Sequence, residues 1–207
     1  MATPALRALK QLAGDQGELV GVCRPYVADV LAGNQWLDRT VEYEKGRNGN
    51  ALTWWQVAPQ LRQMHLDAVV LLTNSLRTAW MAYRSGATER VGFSNNGRGW
   101  MLTTRLYEPR RRGKKHGLPP IDSYLNLAYA AGSEWQPPKL ELATTDDDER
   151  AADRIWDRYG WARGDAVAVL NSGGAFGGAK HWPAEHFASL ADRLAGHLGM
   201  RVLVNCG

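Results

Sequence analysis

Residues 171–187 combine side chains whose order suits the holding of an anion. Gly173, Gly174, Gly177 and Gly178 lead to Lys180, and Trp182 and Pro183 follow. The apolar run Ala166–Leu170 precedes this stretch, and a helical pattern to about Gly199 follows it. Four glycines let a backbone approach a ligand closely and turn its N–H groups outward. Proline suits the first position of a helix, where a backbone donor has no partner in any case. The remaining free N–H groups and the positive end of the helix dipole favour phosphate or diphosphate. Lys180 adds a full positive charge. The competing reading is a plain strand-to-helix connection with a solvated lysine. Neither common nucleotide fingerprint is present, because no Ser or Thr follows the lysine and the glycine spacing is not that of a dinucleotide fold.

The elements that position this loop belong to an α/β pattern. A helix is expected over 3–12, with Thr3 as N-cap and Pro4 at its first position. Strands are expected at Leu19–Cys23, Thr40–Tyr43, Ala68–Thr73 and Arg90–Phe93. Helices are expected at Tyr26–Ala32, Ala51–Met64, from a Ser75 cap to Ser85, and at Ile121–Ala131. Short β-rich runs alternating with helices signal a parallel sheet covered on both faces. Residues 94–120, rich in Gly, Arg and Pro, read as loops with brief structure. Residues 136–164 read as a linker and connecting helix, the helix starting near Asp147, and a second strand–helix–strand unit occupies 165–207. That leaves 1–135 as the first domain.

Composition narrows the function. The net charge of +4 is too small to imply nucleic acid by itself. Its distribution is uneven: Arg84, Arg90, Arg98, Arg105, Arg110, Arg111, Arg112, Lys114 and Lys115 stand against Glu89 and Glu108 alone over 84–115. That region is suited to meeting anions, although Arg110–Lys115 also fits a solvated charged loop. The two cysteines, Cys23 and Cys206, fit no metal motif and read as buried reduced thiols, as in a cytoplasmic protein. No run approaches the length of a membrane span, and no signal-peptide pattern opens the chain. His181, His186 and His197 lack a metal-ligand arrangement. His116 and Asp122 stand no higher than surface residues, and the nine tryptophans read mostly as packing.

Ser172 through Pro183 resembles the Pro-Gly-Ala-x-(Tyr/Phe)-Gly-x-Ala-Lys-x-Trp-Pro segment of glycosyltransferase family 9, the ADP-heptose:lipopolysaccharide heptosyltransferases, with serine in place of the first proline. Further segments are similar to the heptosyltransferase II type: Thr73-Asn-Ser-Leu-Arg-Thr-Ala79, Arg90-Val-Gly-Phe93 with Asn96-Gly-Arg-Gly99, and the first helix. The resemblance implies a GT-B fold. The chain would supply an N-terminal Rossmann-like domain lacking its first strand, plus the first strand–helix–strand of a second Rossmann-like domain. It also implies inverting, metal-independent transfer of heptose from ADP-heptose to the acidic lipopolysaccharide inner core, without a cofactor. Lys180 would stabilise the leaving diphosphate. Ser172, Gly173, Gly174, Ala175, Lys180, Trp182 and Pro183 would bind the donor. Asn74, Ser75, Arg77, Arg90 and Arg98 would face the acceptor. Peripheral contact with the inner membrane surface is a further expectation, and nucleic acid is not an expected partner.

The family's general-base aspartate, in a Gly-Asp pair, would lie upstream of Met1. Its Asp-Ser-Gly-x-x-His segment would lie beyond Gly207. The chain is therefore expected to be the middle of such an enzyme and not to catalyse alone. Two alternatives stay open: a related GT-B transferase with another nucleotide sugar or acceptor, and a non-catalytic module that binds anions or nucleic acid.

Overall fold

A computed structural model of the chain describes residues 1–44, 52–111, 114–173 and 182–205, apart from the side chains of residues 110, 111, 114 and 115. It divides into two units, Met1–Thr145 and Asp146–Gly207.

The first unit opens with α1 (Thr3–Ala13), β1 (Val20–Cys23), α2 (Pro25–Leu31), β2 (Arg39–Glu44) and the short β3 (Leu52–Thr53). It continues with α3 (Trp54–Gln63), β4 (Ala68–Leu71), α4 (Leu76–Ser85), β5 (Glu89–Phe93), a single 3₁₀ turn (Arg98–Met101) and β6 (Thr104–Leu106). A two-stranded antiparallel hairpin, β7 (Arg110–Arg111) and β8 (Lys114–Lys115), leads to α5 (Pro120–Ala130). The strands form two parallel sheets, ordered β1-β2-β3 and β4-β5-β6. Among the described residues, β1 and β4 each pair along one edge only. Helix α1 ties these two strands together, since its Ala5, Ala8 and Leu9 pack with Leu19, which leads into β1, and with Val70 of β4. Another core gathers Val41, Val57, Leu61 and Met81 from β2, α3 and α4.

Several element boundaries differ from the sequence expectation for local reasons. Thr3 does not cap α1: the helix begins at Thr3 with Ala2 before it, and the buried Thr3 hydroxyl accepts the Glu141 N–H at 3.1 Å. Helix α3 starts at Trp54, because Leu52–Thr53 joins β2 as a strand and Gln56 reaches back to accept the Thr53 N–H at 2.9 Å. That is the first half of a capping box, whose Thr-x-x-Gln spacing is visible in the sequence. Within the stretch read as loops, Thr104–Leu106 is a sheet strand.

Residues 136–141 fasten onto α1. Arg7 donates to Gln136 Oε1 at 3.0 Å and to the Pro137 carbonyl at 2.8 Å, and it forms an ion pair with Glu141 at 2.7 Å. Gly33 makes room nearby, because a Cβ there would lie 2.1 Å from the Ala143 carbonyl oxygen.

The second unit comprises α6 (Asp146–Tyr159), β9 (Val167–Asn171), α7 (Ala184–Leu198) and β10 (Arg201–Asn205). Four acids in the first turn of α6 complement its dipole. Strands β9 and β10 pair in parallel from Arg201 opposite Val167 to Asn205 opposite Asn171. None of the described residues of this unit is buried.

Candidate functional site

The acceptor-side candidates cluster where β4 ends. Ser75 caps α4, its Oγ accepting the Thr78 N–H at 3.1 Å. Asn74 and Ser75 are exposed just beyond the carboxyl end of a parallel strand, where α/β sheets place ligands. Beneath them lies Arg98, 0% exposed. Its guanidinium donates to the Phe93 carbonyl at 2.8 Å, to Asn74 Oδ1 at 2.9 Å, and to the Thr73 and Ser75 carbonyls. Asn96 and Gly97 both have positive φ, 53° and 73°, and this left-handed pair turns the chain so that Arg98 enters from below. Burial pushes the Arg98 pKa down from its ordinary value, yet a guanidinium of this kind stays charged.

The placement changes what Arg98 and Arg90 can do. A buried Arg98 reaches no acceptor directly; it positions Asn74 and Ser75. Arg90 gives its donors to the Met101 carbonyl at 2.8 Å and to the Ala87 carbonyl, with its guanidinium over the Tyr83 ring. It therefore braces the turn that carries Trp100 and Met101. Arg77, the second residue of α4, sits over the Trp54 ring at 5.3 Å.

Ser75 and Arg77 open onto a pocket of about 810 Å³ whose other walls are largely aromatic. Trp54, Trp55 and Trp80 meet with ring centroids 3.5 to 5.5 Å apart, and Trp100 stacks edge-on against Tyr83 at 5.6 Å. Arg24, the residue before α2, and Tyr43 of β2 complete the lining. Reading the tryptophans as packing missed this pocket. The adjacent pair Trp54-Trp55, placed directly after the Thr53–Gln56 cap, was the available signal, since a helix start is where neighbouring rings project beyond the sheet.

On the donor side the structure describes the two ends of the glycine-rich loop. Gly174, Ala175 and Lys180 lie outside the described residues. At the strand end, the Ser172 N–H donates to the Asn205 carbonyl at 3.2 Å, which ties the loop's origin to β10. The Gly173 N–H donates to Asn171 Oδ1 at 3.1 Å. At the helix end, Pro183 is the N-cap of α7, one position earlier than expected. Its carbonyl accepts the His186 N–H at 3.0 Å, and no side chain caps the helix. The first N–H groups of any helix lack an intrahelical partner, so those of Ala184 and Glu185 in α7 suit an anion. Glu185 in the same turn partly offsets that charge. Trp182 stacks on His186 at 5.3 Å and meets Phe187 edge-on at 5.0 Å, fixing the approach to the helix. His186 thereby has a packing partner.

The remaining candidates are quiet. His116 and Asp122 stand exposed, and the side chains of Arg110, Arg111, Lys114 and Lys115, with Arg112, lie outside the described residues. Among the described residues no cluster of three His, Cys, Asp or Glu could hold a metal ion. Nor is any helix there long and apolar enough to cross a membrane. Cys23 is half-buried rather than buried, and desolvation, with Glu42 and Asp29 nearby, pushes its thiol pKa up.

Solved structures place this fold among glycosyltransferases. A glycosyl transferase family 9 protein from Veillonella parvula DSM 2008 superposes with a TM-score of 0.76 at 20% identity, over 98% of this chain and 58% of that one. The ADP-heptose lps heptosyltransferase II of E. coli superposes with a TM-score of 0.72 at 19% identity, over 98% of this chain and 59% of that one. The chain thus spans less than two thirds of either relative. Likeness at such identity concerns the fold, which is the GT-B type with Rossmann-like units. The family follows from the sequence: the model of glycosyltransferase family 9 (heptosyltransferase) matches residues 54–207, and the chain belongs to that family. A comparison with curated protein sequences gives no match.

Proposed function

We propose that this chain serves a heptosyltransferase that moves heptose from ADP-heptose to the lipopolysaccharide inner core with inversion, without metal or cofactor. An acceptor hydroxyl attacks the anomeric carbon, and the bond to the diphosphate breaks as ADP leaves. Charge grows on that diphosphate, so donors already aimed at it lower the barrier. Lys180 and the uncapped start of α7 supply such donors. The first unit takes the acceptor, with Asn74, Ser75 and Arg77 at the end of β4. The protein works in the cytoplasm, in peripheral contact with the inner membrane where its acceptor lies.

The observation that carries this reading is the run from β9 through the glycine-rich loop and Lys180 to the uncapped α7, inside the segment matched by the family model. The test is ADP release from ADP-heptose by the protein, supplied with a core acceptor. Release with another nucleotide sugar in place of ADP-heptose would select the related-transferase reading. Salt-dependent binding of arbitrary nucleic acid, without ADP release, would select the non-catalytic one.

A further inference from the structure

Helix α4 turns an apolar and basic face outward. Ala79, Met81, Ala82 and Ser85 are buried on one side of it. At about 100° of rotation per residue, Leu76, Arg77, Trp80, Tyr83 and Arg84 fall together on the other side. The outer face of a surface helix is ordinarily polar and of mixed charge. This one carries an aliphatic chain, two aromatic rings and two guanidiniums, with Leu76 51% and Tyr83 46% exposed. Neighbouring elements widen the same surface. Trp55 of α3 meets Trp80 at 5.1 Å, and Trp100 of the 3₁₀ turn, 65% exposed, meets Tyr83 at 5.6 Å. Arg84 lies over the Trp80 ring and Arg90 over the Tyr83 ring, which holds positive charge beside the aromatic groups. The sequences of α3, α4 and the 3₁₀ turn contain no Asp or Glu to answer these cations.

Each part of this surface has a counterpart in an anionic bilayer. Trp and Tyr settle at the headgroup level, because their rings are apolar bodies with a polar edge. Leu76 reaches acyl chains there, whereas a nucleic acid or a free sugar offers a lone leucine nothing to bury against. Guanidiniums pair with lipid phosphates. We infer that the outward face of α4 docks the protein on an anionic membrane, with Trp55, Leu76, Tyr83 and Trp100 entering the headgroup layer and Arg77 and Arg84 on phosphates. The inference rests on the membrane-borne acceptor proposed above; it adds the surface that meets the lipid and the lipid charge that surface requires. The contact is peripheral, since α4 has 10 residues and lies along the interface instead of crossing it.

The test sediments the protein with vesicles of phosphatidylcholine alone, or of equimolar phosphatidylcholine and phosphatidylglycerol, and follows tryptophan fluorescence. The anionic vesicles should bind roughly tenfold more tightly than the neutral ones, because cations near an anionic surface contribute one by one. They should also shift tryptophan emission to the blue. Arg84→Glu should weaken this binding by roughly tenfold. Leu76→Ser and Trp100→Ser, each at an exposed position, should weaken it several-fold with far-UV circular dichroism unchanged. Equal binding to neutral vesicles overturns the surface. Anionic-vesicle binding that all three substitutions leave unmoved overturns it too, since the contact then lies elsewhere on the chain. Vesicle binding displaced by a thymidine oligonucleotide and insensitive to Leu76→Ser marks a general polyanion site and overturns it equally. ADP release from ADP-heptose is read separately, with a soluble core fragment as acceptor. Its absence alongside intact vesicle binding refutes the transfer reading and leaves the surface standing, whereas ADP release without vesicle binding removes the surface alone.

Discussion

Arg98 Nη2 lies 2.9 Å from Asn74 Oδ1, and this bond joins a buried cation to an exposed residue of the candidate acceptor site. Through it the 3₁₀ turn after β5 dictates the shape of the loop after β4. The loop is pre-organised, since its carbonyls and the Asn74 side chain converge on one guanidinium.

Replacing Arg98 should therefore damage stability and site together. Arg98→Met strands the Phe93 carbonyl in a buried setting and the Thr73 and Ser75 carbonyls in part-buried ones, and leaving a buried acceptor unmade costs about 1–3 kcal/mol. Arg98→Lys should rescue little, because an ammonium cannot match the fork geometry of a guanidinium. Urea unfolding of both variants checks this. A lysine variant as stable as the parent would contradict the clamp.

Gly97 supports the same clamp. With φ at 73°, a side chain there incurs left-handed strain. Gly97→Ala should lose roughly 1–2 kcal/mol, measurable as a shift in the urea midpoint. A Cβ at Gly97 would meet open space, so a loss of this size would come from the backbone and not from a clash.

Asp38 ties α1 to the start of β1. Its carboxylate receives Lys10 Nζ at 2.7 Å on each oxygen and the Leu19 N–H at 2.7 Å. The Lys10 hydrogen bond first, then that of Leu19, holds the Asp38 pKa below its ordinary value of 3.8. A lowered folded-state pKa means that this stabilisation is present above the ordinary value and is lost as pH falls through the folded one. Asp38→Asn should be less stable than the parent near neutrality, with the difference shrinking in acid. Thermal melts across pH 2–7, a window of about five units around the carboxylate range, test this. A pH-independent gap would contradict it.

Much of this architecture is legible in the sequence because single-residue chemistry decided it. Ser75 was readable as a cap, Gly199 as the approximate end of a helix, and Ala68–Thr73 as an apolar parallel strand, which forms over Ala68–Leu71. What was not legible depends on contacts between distant residues. Nothing near Thr3 announces Glu141 as the partner of its hydroxyl, and nothing near Arg98 reveals that four acceptors from two segments await it. Residues 136–141 read as a linker by composition, but Arg7 makes them part of the first unit. The pocket escaped notice for the same reason, since a tryptophan's type is readable and its exposure is not.

The second unit should open first. None of its described residues is buried, whereas α1, α5 and β5 carry side chains at or near full burial. Local opening free energy follows buried contact. Amide hydrogen exchange should therefore be faster through β9, α7 and β10 than through α1 and β5, and equal protection would refute this.

Lys180→Ala, made in protein with measurable transfer, should lower kcat by roughly 10²-fold, the usual cost of losing one donor to a developing negative charge. The donor KM should change far less. An unchanged kcat would remove Lys180 from the chemistry.

The one-sided pairing of β1 and β4 among the described residues makes concentration a variable in the behaviour of this chain. In dilute solution, water can satisfy the amides that lack a ladder partner there. In crowded solution, another strand competes for the same amides, as sheet edges generally invite. Light scattering over a dilution series would follow that competition, with Val20, Val22, Val69 and Leu71 giving the edges their apolar character. Helix α1, whose side chains pack with Leu19 just before β1 and with Val70 of β4, then bears on solubility as well as on folding.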